Sequence, residues 1–318
     1  MLSRRWLFPS ILLFSVLLLP TILLGLAVIV AYPTLPSLEV LTDYRPKIPL
    51  RIYSSEGVLL GEFGEERLAL VASSDVPEVM TQANLAMEDD RFYEHGGIDY
   101  MGVIRAALSN LTAGGAKQGA STITMQLARN FFLTKEKTLS RKFNEALLAL
   151  KIEHYLSKDK ILELYINQIY LGQRAYGFST AAQTYFGKPL SDISIAEAAM
   201  LAGLPKAPSR FNPVVNPKRA KLRQQYVLRR MHELNHISDP QYQAALIEPL
   251  SAREAGTKYN SIRADYFAEM VRQEIFEKFQ EDTYTQGFKV YTTIREQDQL
   301  AAYQSVRAGV LEYDRRHG

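Results

Sequence analysis

The spacing of apolar and polar positions changes several times along this chain. From Leu7 to Ala31 no charged residue interrupts a run rich in Leu, Ile and Val. About 25 residues at ~1.5 Å each reach roughly 37 Å, enough to cross a ~30 Å hydrocarbon layer with some tilt. Arg4 and Arg5 precede the run and the next charge is Glu39, which predicts the N-terminus inside and the body outside. A cleaved signal peptide is the competing reading. The run exceeds the ~7–15 residues of such a peptide's apolar core, and no small-x-small cleavage site follows. Pro9 and Pro20 are tolerable in a spanning helix. The pattern therefore predicts an uncleaved transmembrane anchor, with 1–32 as cytoplasmic tip and span.

Residues 33–50 carry four prolines and predict an extended stalk. Arg51-Ile-Tyr-Ser and Val58-Leu-Leu-Gly-Glu-Phe63 then flank Ser55-Glu56-Gly57, a β-hairpin pattern with Gly57 in the turn. From Val76 to about Leu250 the apolar spacing becomes three and four, the helical period. Pro77 suits the first turn of a helix running to about Met87. Tyr266 to Glu281 reads as one more amphipathic helix, and Gly287 to Ile294 alternates as a strand. That late strand needs a partner, either the early hairpin or a domain beyond the chain. The expected class is mainly α, with minor β elements at the flanks.

Composition narrows the function classes. The 318 residues are 47% hydrophobic, the content of a globular protein. Against 34 acidic residues stand 37 basic ones, a net charge of +3 too even for general nucleic-acid binding. Cysteine is absent, which excludes disulfides and cysteine metal sites.

Four segments carry candidate chemistry. Glu88-Asp-Asp-Arg-Phe-Tyr-Glu-His-Gly-Gly97 packs four carboxylates, a His and two glycines behind the Pro77 helix. A catalytic carboxylate suits an element's end, where partial burial tunes it, although alone the cluster also reads as a solvated helix end. In Gly119-Ala-Ser-Thr-Ile-Thr-Met-Gln-Leu-Ala-Arg-Asn130, hydroxyls suited to capping precede a helix with Gln126, Arg129 and Asn130 on one polar face. Ile123, Leu127 and Phe131 form its apolar row, so an ordinary amphipathic core helix fits as well. From Thr138 to Glu153 a helical wheel puts Arg141, Lys142 and Glu145 on one arc, with Leu139, Phe143, Ala146, Leu147 and Leu150 opposite. This is either an exposed ion pair or a cationic shelf with an embedded carboxylate. Ser157 to Gly172 reads mainly as scaffold, with Ser157 as N-cap and Gly172 as stop. Ser157-Lys-Asp-Lys160 also matches S-x-x-K, but no K-T-G or S-x-N accompanies it, so transpeptidase chemistry is not supported in this chain.

In order and spacing these segments resemble the motifs of the family 51 peptidoglycan glycosyltransferases. The first matches E-D-x-x-F-x-x-H-x-G, the second G-x-S-T-I-T-x-Q-L-x-[KR]-N, the third R-K-x-x-E and the fourth K-x-x-I-L-E-x-Y-x-N. Ala181 to Gly187 and Gly203 to Pro213 resemble the fifth region. Met125 and Arg129 stand where many relatives carry Gln and Lys. The flanking hairpin and late strand are similar to those of class A penicillin-binding proteins, in which a transpeptidase domain follows.

The resemblance implies a lysozyme-like helical glycosyltransferase domain at 51–250, with a membrane-associated jaw at about 101–137. It implies a linker at 251–318 toward the transpeptidase domain. The expected location is the bacterial inner membrane, single-pass, with the catalytic domain periplasmic. The implied reaction joins lipid II into glycan strands with inversion at the anomeric carbon and release of undecaprenyl pyrophosphate. Glu88 is then the base and Glu145 the second catalytic carboxylate, organising the cations or a divalent metal (Mg or Mn). No organic cofactor is implied. Arg129, Lys137, Arg141 and Lys142 are the expected pyrophosphate ligands, with Ser121, Gln126 and Asn130 as hydrogen-bonding neighbours and Lys206 as a further charge. The apolar face of Met101, Ile104, Ala107, Leu108 and Leu111 is expected either to meet the lipid or to pack in the core. Expected partners are lipid II, the growing lipid-linked glycan, the membrane and other cell-wall synthesis proteins. A lysozyme-type lytic enzyme and a non-catalytic membrane scaffold are the rival classes. The first would need an acid to protonate its leaving group, and the second is disfavoured by the acids at 88 and 145.

Overall fold

The computed structural model describes residues 18–19, 21–23, 25–42, 48–64, 67–112, 119–133, 138–249, 252 and 263–318. Among them lie α1 (Glu39–Thr42), β1 (Leu50–Tyr53), β2 (Leu59–Phe63), β3 (Arg67–Leu68) and α2 (Glu78–Glu88). Next come α3 (Tyr100–Thr112), α4 (Ile123–Phe132), α5 (Leu139–Tyr155) and α6 (Lys158–Gln168). β4 (Ala175–Tyr176), α7 (Phe178–Phe186), α8 (Ile195–Ala202), α9 (Pro217–Glu233) and α10 (Asp239–Ile247) follow. α11 (Asp265–Phe279), β5 (Lys289–Tyr291) and α12 (Glu296–His317) complete the series. The fold is mainly helical. The chain divides into two compact units, Met1–Tyr44 with Arg91–Ile161, and Arg45–Asp90 with Leu162–Gly318.

In the first unit α4 packs on α5. Each begins at a threonine whose hydroxyl accepts a backbone N–H one turn on: Thr122 from Met125, and Thr138 from Arg141. Such caps contribute about 1 kcal/mol each. The apolar row foreseen on α4 is its core face, since Ile123 and Leu127 are fully buried. On α5 the buried face matches the one the wheel predicts only in part, at Leu147. Glu145, Leu148, Ala149 and Ile152 are buried together, whereas Leu150 is 39% exposed. Glu145 thus lies on the packed side of its helix. Within 33–50, Leu35, Leu38 and Leu41 are buried, and Lys151 Nζ donates to the Pro36 carbonyl at 3.0 Å.

Much of the predicted span Leu7–Ala31 lies outside the described residues. Residues 25–31 are helical, with Leu26, Ile29 and Val30 exposed. Among the described residues no helix is long and apolar enough to cross a membrane. On α3 the face of Met101, Ile104, Ala107, Leu108 and Leu111 is exposed, and Leu111 is 79% accessible. It is not a core-packing face.

The second unit holds the hairpin. β1 and β2 are antiparallel, and Gly57 supplies the turn's left-handed backbone at φ +81°. Ser54, fully buried, accepts the Glu56 and Val58 backbone N–H groups with its hydroxyl at 3.2 and 3.1 Å. The late strand pairs with this hairpin, β5 lying parallel to β1 with Ile52 opposite Val290. Leu50, Ile52 and Leu60 bury against Ala264 and Ala268 of the neighbouring segment, covered by Phe63, Phe267 and Val271. Alternation put these residues inward, and the helix α11 is what they meet. Elsewhere in this unit α2, α8 and α9 pack on one another.

Candidate functional site

A buried carboxylate between two cations dominates the first unit. Glu145 is 1% exposed. Its Oε2 accepts from Lys142 Nζ at 2.9 Å, and Arg141 Nε stands 3.5 Å from Oε1. Lys142 Nζ also donates to Ser121 Oγ at 2.6 Å, tying the loop before α4 to the shelf on α5. Glu145 Oε1 and Arg141 Nε are buried but make no hydrogen bond with one another or with other described residues. Ionic burial of this kind is costly unless well paired, and here the pairing is incomplete. Gln126 is buried on α4, Arg129 is half-buried and Asn130 exposed.

The motifs of this unit knit together around that shelf. Gly97 has φ +87°, and a Cβ there would meet the Ala149 carbonyl oxygen of α5 at 2.8 Å. The Thr122 hydroxyl, while capping α4, donates to the Gly97 carbonyl at 2.6 Å. Thr124 Oγ1 donates to Glu153 Oε1 at 2.6 Å, and Lys158 Nζ reaches the same oxygen at 2.7 Å while lying over the Phe92 ring. One half-buried ion pair therefore joins residues of four motifs, and its role is architectural.

The second unit holds the predicted base. Glu88 is the last residue of α2. Two positions on, Asp90 pairs with Arg230 of α9 at 3.4 Å. Two turns back on α9, Arg223 stacks against Phe211 and Tyr226, its guanidinium carbon 5.6 and 5.2 Å from the ring centres. Arg223 Nε donates to the Gly203 carbonyl at 3.4 Å. Burial pulls the Arg223 guanidinium below its ordinary value, and the negative charge of Glu88 opposes that pull. Lys206 is exposed in the loop after α8.

The fourth motif is scaffold, as its sequence suggested. Asn167 exchanges two hydrogen bonds with the Val71 backbone, and Glu163 accepts the Ser73 N–H at 3.1 Å. The fifth region does similar work. Asn212 Oδ1 accepts the Val214 and Val215 N–H groups, and the buried Tyr185 hydroxyl donates to the Leu171 carbonyl at 2.8 Å. Gly172 is not the stop of α6, which ends at Gln168; its left-handed backbone sits beneath the Tyr185 hydroxyl.

Of the predicted site residues, Ser121, Arg141, Lys142 and Glu145 are brought into one cluster. Gln126, Arg129 and Asn130 share α4 beside it, Lys137 lies outside the described residues, and Glu88 and Lys206 belong to the second unit. The donor set around Glu145 suits a divalent cation poorly, since its neighbours are themselves cations. Among the described residues no group of three His, Asp or Glu gathers as a metal ligand set. Sequence reasoning missed Arg223 and Arg230. Their signal was available in the basic run of α9, where Lys218, Arg219, Lys221, Arg223, Arg229 and Arg230 outnumber the one acid, Glu233.

Comparison with known proteins places these features in context. The transglycosylase family matches residues 56–232. Penicillin-binding protein 1A of Neisseria cinerea is 56% identical over 293 residues, 92% of this chain and 37% of that protein. Penicillin-binding protein 1A of Pseudomonas aeruginosa is 50% identical over 286 residues, 90% of this chain and 35% of that protein. The crystal structure of penicillin-binding protein 1A from Haemophilus influenzae is similar in fold, with a TM-score of 0.52 and 35% identity. It covers 86% of this chain and 31% of its own. The chain thus spans about a third of the length of these relatives.

Proposed function

This chain belongs to the transglycosylase family, and we propose that it polymerises lipid II into the glycan strands of bacterial peptidoglycan. The donor's leaving group, undecaprenyl pyrophosphate, is a stable anion and needs cations around it more than a proton. The acceptor is a sugar hydroxyl, a poor nucleophile until its proton is removed. Glu88 takes that proton from the acceptor's 4-hydroxyl as its oxygen bonds to the donor's anomeric carbon. The bond from that carbon to the pyrophosphate breaks, and its electron pair leaves with the phosphate. A single displacement inverts an α-linked donor to a β-linked product.

The observation that carries this reading is the shelf of Ser121, Arg141 and Lys142 around the buried Glu145. Arg141, 18% exposed, and Lys142, 43% exposed, present their charge toward solvent, where an anionic ligand can approach. With Arg129, Lys137 and Lys206 these cations neutralise the departing pyrophosphate, and Gln126 and Asn130 supply hydrogen bonds. Glu145 organises the cations. A lysozyme-type lytic enzyme would have no use for such a shelf. The exposed apolar face of α3 enters the bilayer as part of the jaw, beside a helical domain of lysozyme type. Leu7–Ala31 anchors the chain in the cytoplasmic membrane with its body in the periplasm, where other cell-wall synthesis proteins are its neighbours.

Glu88→Gln tests the assignment of the base. A positioned base contributes roughly 10²–10⁴-fold, so polymerisation by the variant should fall below a hundredth of wild type at unchanged melting temperature. Activity above about a tenth of wild type would sink the assignment.

A further inference from the structure

The fourth motif leads into a tight hairpin, residues 169–177, whose tip runs against the usual chemistry of such turns. Tyr170 stands opposite Tyr176 in antiparallel pairing, and the Gly177 N–H donates to the Ile169 carbonyl at 2.9 Å. At the tip the Ala175 N–H donates to the Gly172 carbonyl at 2.8 Å, closing the turn around Gln173 and Arg174. Both central residues have positive φ, +49° and +60°, the signature of a type I′ turn. Such turns favour Asn-Gly, because a Cβ makes left-handed backbone costly. Gln-Arg therefore holds strain at this tip, and strain of this kind gathers at functional sites.

Three anchors keep the hairpin in place. Arg174 Nη2 donates to the Gly64 carbonyl at 2.7 Å, and the buried Tyr185 hydroxyl donates to the Leu171 carbonyl at 2.8 Å. β4 pairs with β3, Ala175 lying opposite Arg67. The side chains carried on this frame are aromatic and neutral. Tyr170 is 41% exposed and Tyr176 half-buried, with ring centres 5.0 Å apart and planes 48° from one another. Gln173, half-exposed, adds an amide at the tip. Arg174 is the one charged residue within 169–177, and it is already engaged by a backbone carbonyl.

That surface suits a saccharide. The C–H-rich face of a pyranose ring packs on an aromatic ring, while its hydroxyl and N-acetyl groups bond to an amide and to phenols. A protein partner would have to bury on the order of 1,000 Å², far beyond what two partly exposed tyrosines offer. We propose that residues 169–177 form a saccharide platform, on which Tyr170, Tyr176 and Gln173 hold N-acetylhexosamine units of the growing glycan. The platform touches no reacting atom; it retains the strand between additions. The inference rests on the chain making glycan, as proposed above.

The test is a pair of measurements on the full chain. One is the Kd for chitotetraose, a soluble β-1,4-linked N-acetylhexosamine oligomer, from saturation-transfer NMR titration. The other is the length of polymer made from lipid II. Tyr170→Leu should weaken chitotetraose binding about 3–10-fold, the scale of one aromatic contact, and shorten the polymer. Gln173→Gly relieves the left-handed strain, so it should raise the melting temperature and yet weaken binding. Tyr266→Leu, at a tyrosine of α11 that is 91% exposed, should match wild type in both measurements. Should Tyr170→Leu not fold, Gln173→Gly carries the test alone. Wild-type affinity and polymer length in both hairpin variants would make the turn purely architectural and overturn the platform. An equal loss of binding in Tyr266→Leu would overturn it as well. If wild type binds chitotetraose with the expected pattern but makes no polymer, the polymerase reading fails while the platform stands.

Discussion

Glu145→Gln separates a catalytic carboxylate from a structural one, because the same unit contains a matched control. Were Glu145 exposed, its pairing with Arg141 would be worth only a few tenths of a kcal/mol. It is instead 1% exposed, with Arg141 at 18% and Lys142 at 43%. Breaking a fully buried pair costs about 3–5 kcal/mol. Lys142 can turn to solvent, and glutamine still accepts a hydrogen bond, so about 1.5–3 kcal/mol is expected, the scale of a charged hydrogen bond. Glu153→Gln is the control. Glu153 is 9% exposed, accepts from Lys158 at 2.7 Å and from Thr124 at 2.6 Å, and should lose a similar amount of stability. The assay is polymerisation of purified lipid II at a temperature well below either melting point. Glu145→Gln should fall about a hundredfold or more, the scale of a lost preorganised electrostatic group. Glu153→Gln should stay within a few fold of wild type. Equal losses in the two variants would make Glu145 a structural ion pair, and near-normal turnover in Glu145→Gln would refute the shelf outright.

Two further substitutions test the architecture. Gly97→Ala combines a left-handed backbone with a clash against the rigid Ala149 carbonyl of α5, so thermal unfolding should show a loss of about 2–5 kcal/mol. Tyr185→Phe should cost about 1 kcal/mol near neutral pH, the hydrogen bond to the Leu171 carbonyl. Burial, reinforced by Tyr170, pushes the Tyr185 phenol well above its ordinary value. Its contribution is complete below pH ~10 and is lost as pH rises beyond that, at up to about 1.4 kcal/mol per pH unit. The difference in stability between wild type and Tyr185→Phe should therefore shrink, then reverse, in denaturant titrations carried above pH ~10. A constant difference across that range would contradict the assignment.

The elements that local pattern controls were legible in the sequence. The Pro77 helix, the hairpin turning at Gly57, and the cap before Ile123 follow from residues a few positions apart. The pairing of β5 with β1 was foreseeable because an isolated strand must find an edge. Tertiary facts were not legible. The wheel placed Glu145 opposite the apolar arc, yet packing of α5 on α4 buries it beside Leu148 and Ile152. Nothing in local spacing distinguishes Glu145 from Glu153, although one meets two cations and the other a lysine and a threonine. Arg223 was hidden because its meaning depends on Gly203 and Phe211, each remote in sequence. The division into two units was hidden too, since it cuts the first motif between Asp90 and Arg91.

The measurement that tests the central claim most directly gives the purified chain two substrates in parallel. With lipid II it should produce long glycan, resolved as a ladder on a gel, whose new linkages are β by NMR. With finished peptidoglycan it should release nothing. Soluble muropeptides from the second reaction, or no polymer from the first, would contradict the account.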